Sequence, residues 1–261
     1  MGARMKHRQT FVLWVFCAVL PGLIAGTTTP AIGADTGAGE LVTAAEIGLI
    51  EDVRTLLDAG VDPNARNESG WTALMQAAMN GHTDIVKLLI SKGADVAVKG
   101  DAGWEALMLA AQFGHLEIVR ILIRQKADVN AVSRNGSTAL MFAASNAHLE
   151  VVELLIKQNA TVDATDYLDR TALLFAASEG HVRVVRRLID AGARTRFQDR
   201  EGNTPLILAT RAGHEGVVRA LTAGCADLST KDASGKTALQ IAEEKQLNRI
   251  VKLLQSAPAC E

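Results

Sequence analysis

Apolar residues recur along the chain in a pattern that predicts paired helices. Ile85, Val86, Leu89 and Ile90 occupy positions i, i+1, i+4 and i+5, which lie on one face of an α-helix. The same set recurs at three later steps, as Ile118, Val119, Leu122 and Ile123, as Val151, Val152, Leu155 and Ile156, and as Val184, Val185, Leu188 and Ile189. A shorter, alanine-rich apolar run precedes each set, so the pattern predicts two helices in every unit.

The shorter run belongs to a stretch from Gly70 to His82 that itself recurs every 33 residues. Its further copies begin at Gly103, Gly136, Asp169, Gly202 and Gly235. A fixed period of this kind is typical of stacked-repeat proteins, in which each unit packs only on its neighbours. The sequence therefore predicts an all-α solenoid.

The units divide the chain into segments with different surfaces. We predict five full repeats over residues 67–231, because each carries both apolar runs. Residues 35–66 and 232–258 follow the same pattern but carry charged residues on the face that has no neighbour, as expected of N-terminal and C-terminal capping repeats. Within the first cap, Asp35 to Glu40 is predicted to be a glycine-rich lead-in before the helix. Residues 259–261 are predicted to be a tail.

Residue types at the helix ends support these boundaries. A threonine precedes most of the first helices, where its hydroxyl can accept a hydrogen bond from a first-turn amide and stabilise the helix by about 1 kcal/mol. Glycine, which tolerates left-handed φ, follows most helices. Glu105 replaces one of these threonines, and Ala147 replaces a glycine. Lys126 and Cys225 replace glycines after second helices, so we expect those two helix ends to be strained or reshaped.

These units resemble the ankyrin repeat, a helix-turn-helix unit with a β-turn. The family's Thr-Pro-Leu-His motif appears as Thr72-Ala-Leu-Met75 and Thr204-Pro-Leu-Ile207, and its Gly-His pair as Gly81-His82. The resemblance covers roughly residues 40–256 and implies an ankyrin-repeat α-solenoid of about seven repeats, caps included. It departs from the family where methionine replaces the first histidine, at Met75, Met108 and Met141.

Residues 1–34 have the three-part pattern of a secretory signal peptide. Basic residues come first, an apolar run from Phe11 to Leu20 follows, and small residues lead to Ala34. A membrane anchor is the alternative, but a span needs about 20 apolar residues and this run is shorter. We predict cleavage after Ala34 and a periplasmic or secreted protein that meets the membrane only during export.

Cleavage would make the charge balance more acidic. The chain has 27 basic and 29 acidic residues, a formal net charge of −2. Residues 1–34 hold three basic and no acidic residues, so 24 basic and 29 acidic residues would remain, a net charge of −5. Nucleic-acid binding requires many Lys and Arg contacts to phosphate. We therefore expect no nucleic-acid partner.

Two cysteines would remain after cleavage, Cys225 and Cys260, and an even count in an exported protein permits a disulfide. Cys260 lies just past the position one repeat beyond Cys225. The spacing between repeats exceeds the roughly 4.4–6.8 Å Cα separation of a disulfide, although a tail that folds back would close the gap. A disulfide that pins the C-terminal cap and two free thiols are the alternatives.

The sequence offers no constellation for catalysis, cofactor binding or metal binding. Five histidines recur at one phase of the repeat: His82, His115, His148, His181 and His214. A metal array would need several of them on one ion at about 2.0–2.1 Å, whereas packed helices lie roughly 8–10 Å apart. We predict instead that each ring bonds backbone between repeats, as the family resemblance suggests, and that the protein is not an enzyme and has no small-molecule substrate.

The resemblance implies that the turn tips and first helices form a concave, protein-binding face. The candidate binding residues are positions that the stack does not need, namely Trp71, Met79, Asn80, Trp104, Gln112, Phe113, Tyr167, Leu168 and Arg170. Trp71 and Trp104 occupy the same phase, where each is either an interface anchor or local packing over its own turn.

We predict a monomer that binds or stabilises another envelope protein in the periplasm. The alternatives are a periplasmic inhibitor or immunity protein against a toxic enzyme, a structural envelope factor without a single partner, and an enzyme.

Overall fold

The computed structural model describes residues 34–257, and their side chains from residue 37 onward. The predicted signal peptide, apart from Ala34, and the predicted tail at residues 259–261 lie outside this range, as does Cys260. Within the described range the chain forms fourteen α-helices in seven pairs, which confirms the predicted all-α solenoid. None of these helices combines the length and apolar content needed to cross a bilayer.

The helices form two layers that run along the stack. The first helices of the pairs are α1 Ala34–Ile47, α3 Ala73–Asn80, α5 Ala106–Gln112, α7 Ala139–Ser145, α9 Ala172–Glu179, α11 Pro205–Ala212 and α13 Ala238–Glu244. The second helices are α2 Ile50–Asp58, α4 Thr83–Ser91, α6 Leu116–Arg124, α8 Leu149–Lys157, α10 Val182–Asp190, α12 Glu215–Ala223 and α14 Asn248–Gln255. Each first helix packs on the next first helix, each second helix on the next second helix, and the two helices of a pair on each other.

The periodic apolar positions form one continuous core. Leu89, Leu122 and Leu155 on the second helices are fully buried. Ala77 and Ala78 on α3 are fully buried as well, and their small side chains allow neighbouring first helices to approach closely. Because each repeat buries its apolar face only against its neighbours, stability accumulates along the stack.

The threonine caps form as predicted. Each hydroxyl accepts a hydrogen bond from the backbone amide three residues ahead, at Thr72, Thr138, Thr171, Thr204 and Thr237. Pro205 occupies the first turn of α11, where its missing N–H has no helical acceptor. These caps fix the start of five of the first helices and therefore the turn before each of them.

The glycine-rich lead-in at Asp35 to Glu40 is helical in the structure. Helix α1 begins at Ala34 and runs through this segment. Gly37 and Ala38 are buried in the structure, so the added turns lie against the stack. Burial of these small residues stabilises the helix despite the low helix propensity of glycine.

The helix ends that lack glycine keep left-handed backbone. The φ angle is 66° at Lys126 and 58° at Cys225. Gly93, which follows a second helix in the same way, is also left-handed, with φ of 92°. The expected strain is present, because side chains with a Cβ disfavour this region, but the turns are not reshaped. Cys225 is disulfide-bonded. Because Cys260 lies outside the described residues, the pairing of these two cysteines stays a prediction.

Replacing Lys126 with glycine is expected to raise the free energy of unfolding by about 1 kcal/mol, because glycine adopts the left-handed conformation without the Cβ penalty. Urea denaturation followed by circular dichroism measures the change. Lys126→Ala is the control, since alanine keeps the Cβ and should give no comparable gain. An equal gain from both variants would show that loss of the lysine side chain, rather than relief of backbone strain, is the cause.

Candidate functional site

The turns and the first helices together form one surface, which we call the front face. It carries all nine candidate binding residues, because every candidate lies either in the turn before a first helix or near the end of one. The structure distributes these residues among three repeats. Trp71, Met79 and Asn80 belong to one repeat, Trp104, Gln112 and Phe113 to the next, and Tyr167, Leu168 and Arg170 to a third.

The five periodic histidines connect neighbouring first helices. Each ring Nε2 lies 2.9–3.0 Å from a backbone carbonyl oxygen 36 residues earlier, in the pairs His82 with Glu46, His115 with Met79, His148 with Gln112, His181 with Ser145 and His214 with Ser178. This confirms the prediction that the histidines bond backbone between repeats. Residues 34–257 contain no group of three or more His, Cys, Asp or Glu side chains that could hold a metal ion.

The two tryptophans at equivalent positions have different surroundings. Trp71 is half-buried and packs against the hydrophobic core. Trp104 is also half-buried, but its ring meets Phe142 on α7 of the next repeat, with centroids 4.7 Å apart and planes tilted by 48°. Tilted aromatic pairs at this separation are favourable beyond the area that they bury. The front face therefore contains an aromatic pair that crosses a repeat boundary.

Large apolar side chains are exposed at three places on this face. Phe113, just after α5, is 44% exposed, while Tyr167 and Leu168 in the turn before α9 are 63% and 50% exposed. Ile47 in the N-terminal cap is 54% exposed at the position equivalent to Phe113, and the sequence analysis did not select it. Ile47 lies two 33-residue periods before Phe113, and this equivalence could have identified it from the sequence. Exposed apolar groups of this size on a binding face are typical interface anchors.

Two of the candidates, Met79 and Gln112, also take part in the stack through backbone atoms, while Asn80 bonds within its own helix. The carbonyl oxygens of Met79 and Gln112 accept the histidine bonds, and their side chains remain half-buried. Asn80 is exposed, and its Nδ2 donates to the carbonyl oxygen of Gln76 at 2.9 Å. The side chains of these residues can therefore change without removing the inter-repeat hydrogen bonds.

Arg170 is held in place by its own turn. Its Nε donates to Asp166 Oδ2 at 2.8 Å, and its Cζ lies 4.5 Å from the centroid of the Phe175 ring. The Asp166 carboxylate is buried and also accepts the backbone amides of Leu168 and Arg170. The arginine thus covers Phe175 and stiffens the turn that exposes Tyr167 and Leu168.

A hollow of about 260 Å³ lies on this face between the repeats at 166–198 and 199–231. Leu168, Phe175 and Leu208 contribute apolar walls, and charged residues of both repeats surround them. The sequence analysis did not select Phe175 or Leu208, because their helical spacing matched that of core positions. Their place on the first helices, one and two periods after Phe142, was the available signal.

Several buried polar oxygens on these elements have no hydrogen-bond partner within residues 34–257. All belong to the first helices or to the residues that lead into them, and they are Gln76 Oε1, Glu105 Oε2, Gln112 Oε1, Asn203 Oδ1 and Thr210 Oγ1. An unsatisfied buried polar group costs about 1–3 kcal/mol. Local departures of this kind concentrate at functional sites in natural proteins.

Glu105 is the charged member of this group. It occupies the cap position of α5 without forming a side-chain cap, and it is only 3% exposed. Desolvation raises the pKa of its carboxyl above the ordinary value, and the positive charge of Lys99 partly opposes this rise. Lys99 Nζ lies 3.6 Å from Oε1, so the ion pair is loose and leaves Oε2 unsatisfied.

Comparison with known proteins is consistent with this geometry. The family profile described as "Ankyrin repeats (3 copies)" matches three overlapping segments, residues 41–133, 123–199 and 183–260. A search of curated proteins finds no match. The profile covers most of the chain, and its segments coincide with the stacked helix pairs. The chain therefore belongs to the ankyrin repeat family, whose repeats serve as protein–protein interaction modules.

Proposed function

We propose that this protein acts in the periplasm as a non-catalytic binding module, and that it holds or stabilises an envelope protein through its front face. The observation that carries the proposal is the exposure of Phe113, Tyr167 and Leu168 on that face. Exposed aromatic and aliphatic groups are expensive to leave in water, and at interfaces they supply much of the binding free energy. The export pattern of residues 1–34 supports the compartment.

The packing on the front face supports a preformed binding surface. Trp104 and Phe142 hold each other across a repeat boundary, and Arg170 fixes the turn that carries Tyr167 and Leu168. A surface that is rigid before binding loses less conformational entropy when a partner docks. Ankyrin repeats generally bind proteins rather than catalyse reactions, in agreement with this function.

The variant Phe113→Ser/Tyr167→Ser/Leu168→Ser is expected to lose its partner while keeping its fold. Each side chain is exposed, so its removal leaves the core intact. Loss of interface anchors worth about 2 kcal/mol each weakens binding by at least about 100-fold. The measurement is affinity capture from an envelope fraction, with the partner quantified by mass spectrometry and the fold checked by circular dichroism.

A matched control changes three exposed residues of the second helices, in the variant Lys87→Ser/Glu117→Ser/Glu153→Ser, and should capture the partner as the wild type does. Equal capture by the front-face variant would reject the front face as the interface. If the captured partner is an enzyme whose activity falls on binding, the inhibitor role replaces the scaffold role.

A further inference from the structure

The hollow between the repeats at 166–198 and 199–231 is lined by both apolar and charged side chains. Leu168, Phe175 and Leu208 are among its lining residues. Its volume of about 260 Å³ suits a single large side chain better than a drug-sized ligand, whose sites occupy about 300–1,000 Å³. An apolar wall with charges at its edge fits a side chain that has an aliphatic stem and a polar head.

The two arginines that line the hollow are already paired. Arg170 binds Asp166 through Nε and through a guanidinium nitrogen 2.6 Å from Oδ2. Arg200 Nε lies 3.2 Å from Asp169 Oδ2. An acidic ligand would therefore have to compete with existing ion pairs to reach either guanidinium.

The carboxylates that line the hollow have no such partners. Glu179, Asp199 and Glu201 make no ion pair with any residue in 34–257. Counted with the two arginines and their two aspartates, they give five negative and two positive charges, a local net charge of −3. Like charges gathered at one site favour a ligand of opposite sign, because it relieves their mutual repulsion.

Asn203 adds an unfilled acceptor to the same wall. Its Nδ2 donates to Asp199 Oδ2 at 2.9 Å and to Glu201 Oε2 at 3.3 Å. These two carboxylates fix the orientation of the amide, since only the nitrogen can donate to them. The side chain is 2% exposed, and its Oδ1 has no hydrogen-bond partner within the described residues. The unpaired group of Asn203 is therefore an acceptor.

We propose that this hollow binds a lysine or arginine side chain from a basic segment of the partner protein. The inference rests on the proposed function, because it assigns partner chemistry to one part of the front face. The aliphatic stem of the basic residue packs on Phe175 and Leu208. Its charged head binds the carboxylates of Glu179 and Glu201.

The test selects displayed random peptides of about twelve residues on the immobilised full chain and measures the selected peptides by fluorescence polarisation. Enrichment of Arg or Lys beside an apolar residue is the expected result. Because this change removes the charge from both carboxylates that bind the head, Glu179→Gln/Glu201→Gln should weaken binding by at least about tenfold. Glu150→Gln/Glu153→Gln on α8 alters the net charge by the same amount and should leave binding unchanged. Raising NaCl from about 0.1 M to about 0.5 M should weaken binding through screening.

Substitutions in the selected peptide identify the group that binds. Exchange of Arg for Lys should retain most of the affinity, whereas norleucine or glutamate should remove it. Selection of acidic or uncharged peptides, absence of any enrichment, or equal binding to the Glu179→Gln/Glu201→Gln variant would overturn the inference. If uncharged peptides are selected and still require Tyr167 and Leu168, the basic-segment inference fails and the proposed front-face function stands.

Discussion

Replacing Glu105 with threonine is expected to raise the free energy of unfolding at pH 7 by about 2 kcal/mol. Threonine occupies this position in neighbouring repeats, and Thr138 caps α7 there. The backbone at Glu105, with φ of −106° and ψ of 162°, nearly equals that at Thr138, with −103° and 165°. The new hydroxyl can therefore reach the amide of Met108 without a backbone change.

Two terms make up this gain. A restored cap contributes about 1 kcal/mol, and removal of the unsatisfied Glu105 Oε2 relieves about 1–3 kcal/mol. The lost contact with Lys99 offsets less than about 1 kcal/mol, because the lysine is largely exposed and the pair is loose. Urea denaturation of wild type and variant under identical conditions measures the sum.

The gain should also depend on pH in a defined direction. Burial raises the pKa of the Glu105 carboxyl above its ordinary value, so the folded state holds the proton more tightly than the unfolded state. The contribution of this tighter proton binding to folded-state stability is fully present below the unfolded pKa of about 4.3. It is lost as pH rises through the folded pKa of the Glu105 carboxyl. The difference between Glu105→Thr and wild type should therefore be smaller near pH 4 than at pH 7.

Two further variants separate charge from capping. Glu105→Gln removes the charge without restoring the cap, so it should match wild type near pH 4 and exceed its stability at pH 7. Thr138→Glu places the same defect one repeat later and should lower the free energy of unfolding. A Glu105→Thr variant that is no more stable than wild type at pH 7 would show that Glu105 is well solvated or paired in solution.

Features that follow the 33-residue period could be predicted from the sequence. The helix pairs, the threonine caps and the histidine bonds to backbone each depend on residues that recur at one phase. A repeated local environment gives each of these residues the same neighbours in every repeat. Helix α1 departs from this rule because a terminal repeat has a neighbour on one side only, so burial of Gly37 and Ala38 had no counterpart elsewhere in the chain.

Features that depend on the side chain of an adjacent repeat could not be predicted in this way. Trp71 and Trp104 share a phase, yet only Trp104 meets an aromatic ring, because the facing position holds Phe142 while its equivalent one repeat earlier is Leu109. The charge of the hollow has a similar origin. Arg200 pairs with Asp169, which stands where glycine occupies the other turns.

Replacing Gly114 with alanine is expected to lower the free energy of unfolding by about 2–3 kcal/mol. Gly114 follows α5 with φ of 75°, and a Cβ at this position would overlap His148 Nδ1. The ring would have to move, which weakens its 2.9 Å bond to the carbonyl oxygen of Gln112. The cost combines about 1 kcal/mol of left-handed backbone strain with the weakening of a half-buried hydrogen bond between repeats.

The chain contains a natural comparison for this variant at Ala147, one repeat later. Ala147 already has φ of 62°, and His181 beside it keeps its 2.9 Å bond to the carbonyl oxygen of Ser145. Ala147→Gly should therefore remove only backbone strain and raise the free energy of unfolding by about 1 kcal/mol.

A second control uses a His148→Ala background. There, Gly114→Ala should lower the free energy of unfolding by only about 1 kcal/mol, because no ring is left to displace. If Gly114→Ala costs only that much in the wild-type background too, the histidine relaxes around the new methyl group, and the Gly-His contact does not govern how repeats join.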